Sequence, residues 1–454
     1  MNRLFGPWLI SLAALVLFAQ GRAAAQISSD SAPGVRAFFG VPKAIDSPSD
    51  VIESVPPDSL STPAKDDAKP NFALRGRIQP EAALVNQSDK NKAIIGNAQD
   101  ASGFRRARLG AEGTVGEHVG WVAEFDFAGG VIAFKDVYLE VGKLPIVRRV
   151  RVGHISEPFS LEEATSSNYF PFVERSSIAA LDPGRNWGVE IASYSDDERM
   201  TLQLGAFRTG TSNNTGDDIS SRNEMAYDAR ITGLPWYESE GRHLMHLGAA
   251  FSQRNPQNNL VTINQGPQSN LLPLADNSGS AFIPTINVPA ASQQLYNLEW
   301  ALVLGSLSFQ AEWNATNIVQ IGGGPVYLHG SYVFASYFLT GENREYLTKD
   351  GVFGMTRVRA PFLCLKGDRY LARGPGAWEL TARAAYANFA SGNIPVAANG
   401  LKVGDRETEI TIGLNWYLND YTRLMFNYVH VVLVDPNFGP SCADAFFLQA
   451  AVFW

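Results

Sequence analysis

A chain of 454 residues with 41 Gly, 26 Phe, 45% hydrophobic and only 18% charged residues departs from an ordinary charge-rich cytosolic protein. Lys and Arg total 37 against 45 Asp and Glu, a net charge of −8, which excludes nucleic-acid binding through overall charge. Two cysteines in this length exclude a disulfide scaffold and a cysteine-built zinc module.

The N-terminus reads as an export signal. Arg3 supplies a positive start, Leu9 to Phe18 is an almost unbroken apolar run, and Ala23-Ala24-Ala25 before Gln26 forms a small-residue cleavage site. The run is half of the ~20 residues that cross a bilayer as a helix, so residues 1–25 are expected to be removed as a signal peptide. Loss of Arg3 and Arg22 leaves 35 basic and 45 acidic residues, a charge of −10. Residues 26–71 are rich in Ser, Pro, Asp and Ala, as in Asp46-Ser-Pro-Ser-Asp50 and Val55-Pro-Pro-Asp58. Such a stretch has too little apolar surface to offset its ordering entropy, and a flexible leader is expected.

From Phe72 onward no window holds eighteen consecutive apolar residues, so spanning helices are not expected there. Alternation with period two recurs instead. In Ser306 to Asn314, Leu307, Phe309, Ala311 and Trp313 fall on one face and Ser308, Gln310, Glu312 and Asn314 on the other. Trp378 to Tyr386 and Glu409 to Tyr417 repeat the split. Sixteen strands are expected, at 72–84, 102–114, 120–129, 132–142, 147–154, 186–194, 199–208, 223–234, 242–253, 294–303, 306–315, 325–340, 377–389, 406–418, 421–432 and 443–454. With both chain ends periplasmic, 116–118, 195–197 and 419–420 are short turns, and 85–101, 155–185, 209–222, 254–293 and 388–405 are external loops. The segment 341–376 fits badly as a long periplasmic connection, and a miscount by two strands would be hidden there.

A soluble sandwich also alternates, so other features must choose. The chain ends inside an apolar strand, with Phe446, Leu448, Ala450, Val452 and the terminal Trp454 on one face. Trp121, Trp187, Trp300, Trp378 and Trp416 lie near strand ends, as an interfacial girdle requires. Connections alternate short and long. The expected fold is all-β, a 16-stranded antiparallel transmembrane β-barrel over residues 72–454 in a bacterial outer membrane.

Several motifs then occur in order: Phe104-Arg-Arg-Ala-Arg-Leu-Gly110, Glu124-Phe-Asp-Phe-Ala-Gly129, Asp136-Val-Tyr138, Gly153-His-Ile-Ser-Glu-Pro-Phe-Ser-Leu-Glu-Glu163, Thr165-Ser-Ser167, Glu174-Arg175 and Pro183-Gly-Arg-Asn-Trp-Gly188. Leu414-Asn-Trp-Tyr-Leu418 and Asn427-Tyr-Val429 follow. Together they resemble the phosphate-selective porin O/P family over roughly residues 72 to 454. The resemblance implies a trimeric porin whose third external loop folds into the channel and sets a narrow, anion-preferring constriction.

Strand parity places Arg75 and Arg77, Arg106 and Arg108, and Arg149 and Arg151 on polar faces, each pair ~7 Å apart along one wall. Guanidinium forks so spaced would hand an anion from one to the next, the use the family makes of such a ladder for phosphate. Lumen salt bridges are an equal reading, because Glu112, Glu124, Asp126, Asp136 and Glu140 share these faces. Glu157 to Arg185 is the candidate constriction loop. Its Glu157, Glu162, Glu163, Glu174 and Asp182 outnumber Arg175 and Arg185, and it has no lysine, whereas the phosphate-selective members draw much of their positive field from lysines. Glu162, Glu163 and Glu174 are expected to anchor the loop to wall arginines.

No catalytic set, metal site or cofactor is expected. His243 and His246 are three apart on a strand and face opposite sides. Gly322-Gly-Gly324 lacks the Lys-Ser/Thr of a phosphate-binding helix start. Cys364 is expected in the periplasmic connection and Cys442 in the last external loop, too far apart for a bond. The expectation is a passive channel for small anions, phosphate or polyphosphate by resemblance, set in outer-membrane lipid and homotrimeric by resemblance. The alternatives are a general or cation-tolerant porin, favoured by the −10 charge and the acidic loop, and a structural or adhesive barrel using loop 254–293.

Overall fold

The computed structural model describes residues 71–130, 132–210, 224–265, 283–366, 369–372, 374–395 and 404–454. The expected signal peptide and leader lie outside these residues, except Asn71, which opens the first strand instead of closing the leader.

Sixteen antiparallel strands close on themselves. They are β1 Asn71–Gln87, β2 Ala101–Val115, β3 Val119–Asp126, β4 Ala133–Gly142, β5 Arg149–Ser156, β6 Arg185–Tyr194, β7 Met200–Arg208, β8 Met225–Glu238, β9 His243–Arg254, β10 Ile283–Leu304, β11 Leu307–Gln320, β12 Val326–Phe338, β13 Ala377–Asn388, β14 Arg406–Asn419, β15 Thr422–Asp435 and β16 Gly439–Phe453. Each pairs with the next in sequence. The seam joins β1 to β16, with Arg77 opposite Phe453 and Gln87 opposite Ala443, and the Gly76 N–H donates to the Trp454 carbonyl at 2.9 Å. Closure leaves no open edge, which a sheet surrounded by hydrocarbon needs because no water is present to satisfy free N–H and C=O groups.

The alternation read from sequence is a division between lumen and outside. On β1, Phe72, Leu74, Ile78 and Leu84 are 39% or more exposed, whereas Arg77, Gln79 and Glu81 are 4% or less. The same outward apolar row continues through Leu109, Leu139, Leu202, Leu298, Val333 and Ile412. Trp378 and Trp416 stand opposite each other on β13 and β14 and stack with centroids 5.0 Å apart, near the end that carries both termini. That end has the short turns and is periplasmic in barrels of this kind.

Two windows differ from expectation in an informative way. β10 starts at Ile283, not at 294, because its outer part pairs with a short extra strand, Leu260–Gln265, within the expected external loop. Pro284 and Pro289 break the pattern there, and proline tolerates such a place where one side of the strand lacks a long ladder. Segment 341–376 adds nothing to the barrel. It forms a hairpin of Tyr346–Leu347 with Val352–Phe353 and a ribbon of Leu363–Lys366 with Arg369–Ala372, each pairing only within itself, so the count of sixteen stands. Cys364 lies on that ribbon, and Cys442 lies within β16 rather than in the last external loop.

Candidate permeation site

The barrel encloses a cavity of about 400 Å³ lined by β1 to β7, the segment 157–184 and the hairpin around Asp350. Arg75, Arg77, Arg106, Arg108, Arg149 and Arg151, the six arginines placed inward by parity, all line it, joined by Arg105, Lys135, Arg175 and Arg185. Against these ten cations stand six carboxylates, those of Asp126, Asp136, Glu157, Glu163, Glu190 and Asp350. Four more acids, Glu112, Glu124, Glu140 and Glu174, lie directly behind this lining as partners of its arginines, so with them the group is balanced, whereas the chain as a whole carries −8.

Each of the six arginines has a carboxylate partner. Arg75 meets Glu112 at 2.7 Å and Glu124 at 3.2 Å, and Arg77 reaches Glu124 at 3.4 Å and donates to Ser167 Oγ at 2.8 Å. Arg106 meets Glu174 at 3.3 Å, and Arg108 meets Glu124 at 3.0 Å and Asp126 at 2.8 Å. Arg149 contacts Asp350 at 2.8 Å and Glu190 at 3.3 Å, and Arg151 contacts Glu140 at 2.7 Å. The ladder and the salt-bridge network weighed as alternatives are therefore the same side chains. Pairing offsets the charge of the buried guanidinium groups and holds their planes in place.

Two cations escaped parity. Between Gln79–Arg106 and Pro80–Phe104 the register of β1 and β2 shifts, leaving Arg105 as an extra residue in β2. That bulge turns Arg105 inward beside Arg106, where both bind Glu174. The adjacent Pro80 on β1 was the available sequence signal. Lys135 on β4 lines the cavity with no ion pair or side-chain hydrogen bond among the described residues. An isolated lysine in an otherwise arginine-rich strand set carries no pattern, so only the structure singles it out.

The segment 157–184 hydrogen-bonds to inward side chains on strands around the barrel. Ser160 caps the helical turn Leu161–Ala164 by accepting from the Glu163 N–H at 3.2 Å. The free N–H groups of Leu161 and Glu162 donate to Glu312 on β11 at 2.8 and 2.7 Å. Farther on, Val173 N–H donates to Asn427 on β15, Asn415 on β14 donates to the Pro171 carbonyl, and Arg423 donates to the carbonyls of Phe170 and Ser167, all at 2.8 to 2.9 Å. The glutamates of the segment all find cations, and Asp182 finds none among the described residues. Glu157 binds Arg254, Glu162 lies 3.4 Å from Arg383, Glu163 lies 3.1 Å from Arg175 and 3.8 Å from Arg185, and Glu174 binds Arg105 and Arg106. Arg185 itself grips Asp136 with two bonds of 3.0 and 3.1 Å. The partners of Glu157 and Glu162 lie far along the chain, which is why the sequence named the acids but not their cations.

Charge state follows from these contacts. Burial, and next the neighbouring Glu163, Glu312 and Glu162, push the Asp182 carboxyl well above the usual carboxylate range, while Asn314 donates to it at 2.6 Å. Burial also raises Glu162 despite Arg383 and the Ser176 donors. For Glu174 burial works the other way from Arg105 and Arg106, and the two cations prevail, holding it below its ordinary value. Of the two histidines expected to face opposite sides, His246 faces inward between Glu299 at 2.9 Å and the Tyr346 hydroxyl at 2.6 Å, and the His243 ring lies beside Trp236 with centroids 5.9 Å apart.

The sequence model described as phosphate-selective porin O and P matches residues 72–433. The chain is 28% identical over 367 residues to an uncharacterized protein of Caulobacter vibrioides, covering 79% of this chain and 68% of that one. It is 24% identical over 392 residues to Porin O of Pseudomonas aeruginosa, covering 81% and 84%. Solved structures similar to it include outer-membrane-expressed OmpT of Vibrio cholerae, at 11% identity and TM-score 0.49 over 86% of this chain and 99% of that one. The outer membrane channel DcaP of Acinetobacter baumannii is similar at 14% identity and TM-score 0.49 over 85% and 97%. With a closed sixteen-stranded barrel and a family match that takes in most of its length, the chain belongs to the phosphate-selective porin O and P family, channels of the bacterial outer membrane.

Proposed function

We propose that this porin passes small anions by preference, phosphate or related oxyanions among them, through a constriction made by the segment 157–184 and the arginine wall, and that it works as a homotrimer by likeness to its family. The observation that carries the reading is the cavity surface itself, where ten cations face the space beside six carboxylates while Glu112, Glu124, Glu140 and Glu174 stand behind them, outside the lining. Fixed charge of one sign in a narrow, low-dielectric space raises the concentration of the opposite ion. Arginine forks suit tetrahedral oxyanions in particular, because they offer parallel N–H donors. Lys135 adds a point charge with no carboxylate partner among the described residues.

A second reading, a general channel, draws on the pairing. Every ladder arginine already has an acid within 3.4 Å, and Glu162, Asp182 and Glu312 gather on the other side of the loop. Planar-bilayer conductance of the refolded protein in a chloride gradient separates the two. An anion-signed reversal potential, with chloride current blocked by added phosphate, is the expected result. A near-zero or cation-signed potential without block would leave a porin and remove the anion preference.

A further inference from the structure

The connection between β12 and β13 crosses the periplasmic mouth as a strap. Its hairpin Tyr346–Leu347 and Val352–Phe353 is held along its length by side chains from strands that are distant in sequence. Tyr346 contacts His246 on β9 at 2.6 Å, Arg230 on β8 donates to the carbonyls of Asp350 and Gly351 at 3.2 and 2.8 Å, and Thr348 donates to Glu198 in the β6–β7 turn at 2.8 Å. Gly351 has φ +66° and sits so close to Thr232 that a Cβ would lie 2.5 Å from its Oγ1, so the turn fits the wall only with glycine. The turn presents Asp350 to Arg149, the first residue of β5 after the β4–β5 turn at this end.

Asp350 differs from the other acids of the cavity. They sit on barrel strands, next to them, or on the segment 157–184, whereas Asp350 is carried in from the periplasmic side. One oxygen takes the Arg149 Nη1 at 2.8 Å, and the other, Oδ2, is buried without a hydrogen-bond partner among the described residues. The residue is 8% exposed and lines the cavity. A carboxylate seated on a guanidinium is the same ligand chemistry as a permeating oxyanion.

We propose that Asp350 is the exit-side specificity residue of the channel: a tethered carboxylate that takes Nη1 of the Arg149 fork, beside Glu190 on Nη2, and competes there with the passing anion. The inference rests on the anion reading above, but its test does not depend on the sign of that reading. In planar bilayers, the difference in reversal potential between Asp350→Asn and wild type tests Asp350, and the wild-type sign alone tests the anion preference. The expected result is a shift toward anion selectivity and a phosphate block of chloride current tightened by about threefold, the factor a single partly solvated ion pair gives. Asp350→Glu, which keeps the charge, is expected to return both readings toward wild type. Unchanged potential and block in Asp350→Asn would overturn the proposal. So would equal changes in the Asn and Glu variants, or failure of both Asp350→Asn and Asp350→Ser to assemble while Asp350→Glu does, since each assigns Asp350 to anchoring alone.

Discussion

At the scale of single residues, the cations of the lumen fall into two kinds with different consequences on removal. Arg106 is 4% exposed and shares Glu174 with Arg105, so its loss leaves a buried carboxylate with one cation fewer. Breaking a buried pair from one side costs about 3–5 kcal/mol when no other cation compensates, and Arg105 offsets part of that. Lys135 has no such partner among the described residues. Lys135→Gln therefore removes pore charge and little else: unfolding of the barrel should shift by no more than about 0.5 kcal/mol, while the reversal potential in a chloride gradient moves toward zero. Arg106→Gln should lower both selectivity and thermal stability. If Lys135→Gln leaves selectivity untouched, the lysine lies off the ion path. Parity found the arginines because period two is obligatory along a strand. Arg105 was hidden because a bulge breaks that period, and Lys135 because parity says nothing about partners.

At the scale of elements, the strands were legible and the inserted segments were not, for a physical reason. A strand repeats its chemistry every second residue, and a girdle or a seam repeats around the barrel. The segment 157–184 and the strap 339–376 are irregular, and their contacts join residues as far apart as Glu162 and Arg383. The two also meet, since Leu161 from one packs with Tyr346, Val352 and Phe353 from the other in a single apolar cluster with Leu244 and Val303. Apolar packing between the two elements makes each a support for the other. Glu312 is the key to one of them, taking the N–H groups of Leu161 and Glu162, the Asn297 amide at 2.9 Å and the Tyr332 hydroxyl at 2.5 Å. Glu312→Gln replaces an acceptor of four donors by a group with a single acceptor oxygen, at a cost of about 1–3 kcal/mol to the loop. The expected outcome is a barrel that still assembles, with larger and noisier single-channel steps and faster proteolysis within 157–184. Steps of wild-type size and noise would show that Glu312 does not hold the constriction.

At the scale of the whole molecule, charge is sorted by place. The chain carries −8, yet ten cations gather on one cavity lining, with six acids beside them and Glu112, Glu124, Glu140 and Glu174 directly behind as ion-pair partners, so this part of the lumen holds as many cations as acids. A reading from net charge alone would favour cations, whereas the proposed anion preference rests on the field of the passage that ions enter. The range of that field sets a test. The Debye length is about 10 Å at 0.1 M salt and about 3 Å at 1 M, so distant wall charges act together in dilute solution and singly in concentrated solution. If selectivity comes from the collective field of the lining cations, the reversal potential in a fixed tenfold chloride gradient should be strongly anion-signed when the mean salt is near 0.1 M. It should fall to about half or less near 1 M, as screening removes all but the nearest charges. A potential that stays constant across this range would place selectivity in direct contacts with individual side chains, where a guanidinium fork meets the bare ion and bulk salt screens little.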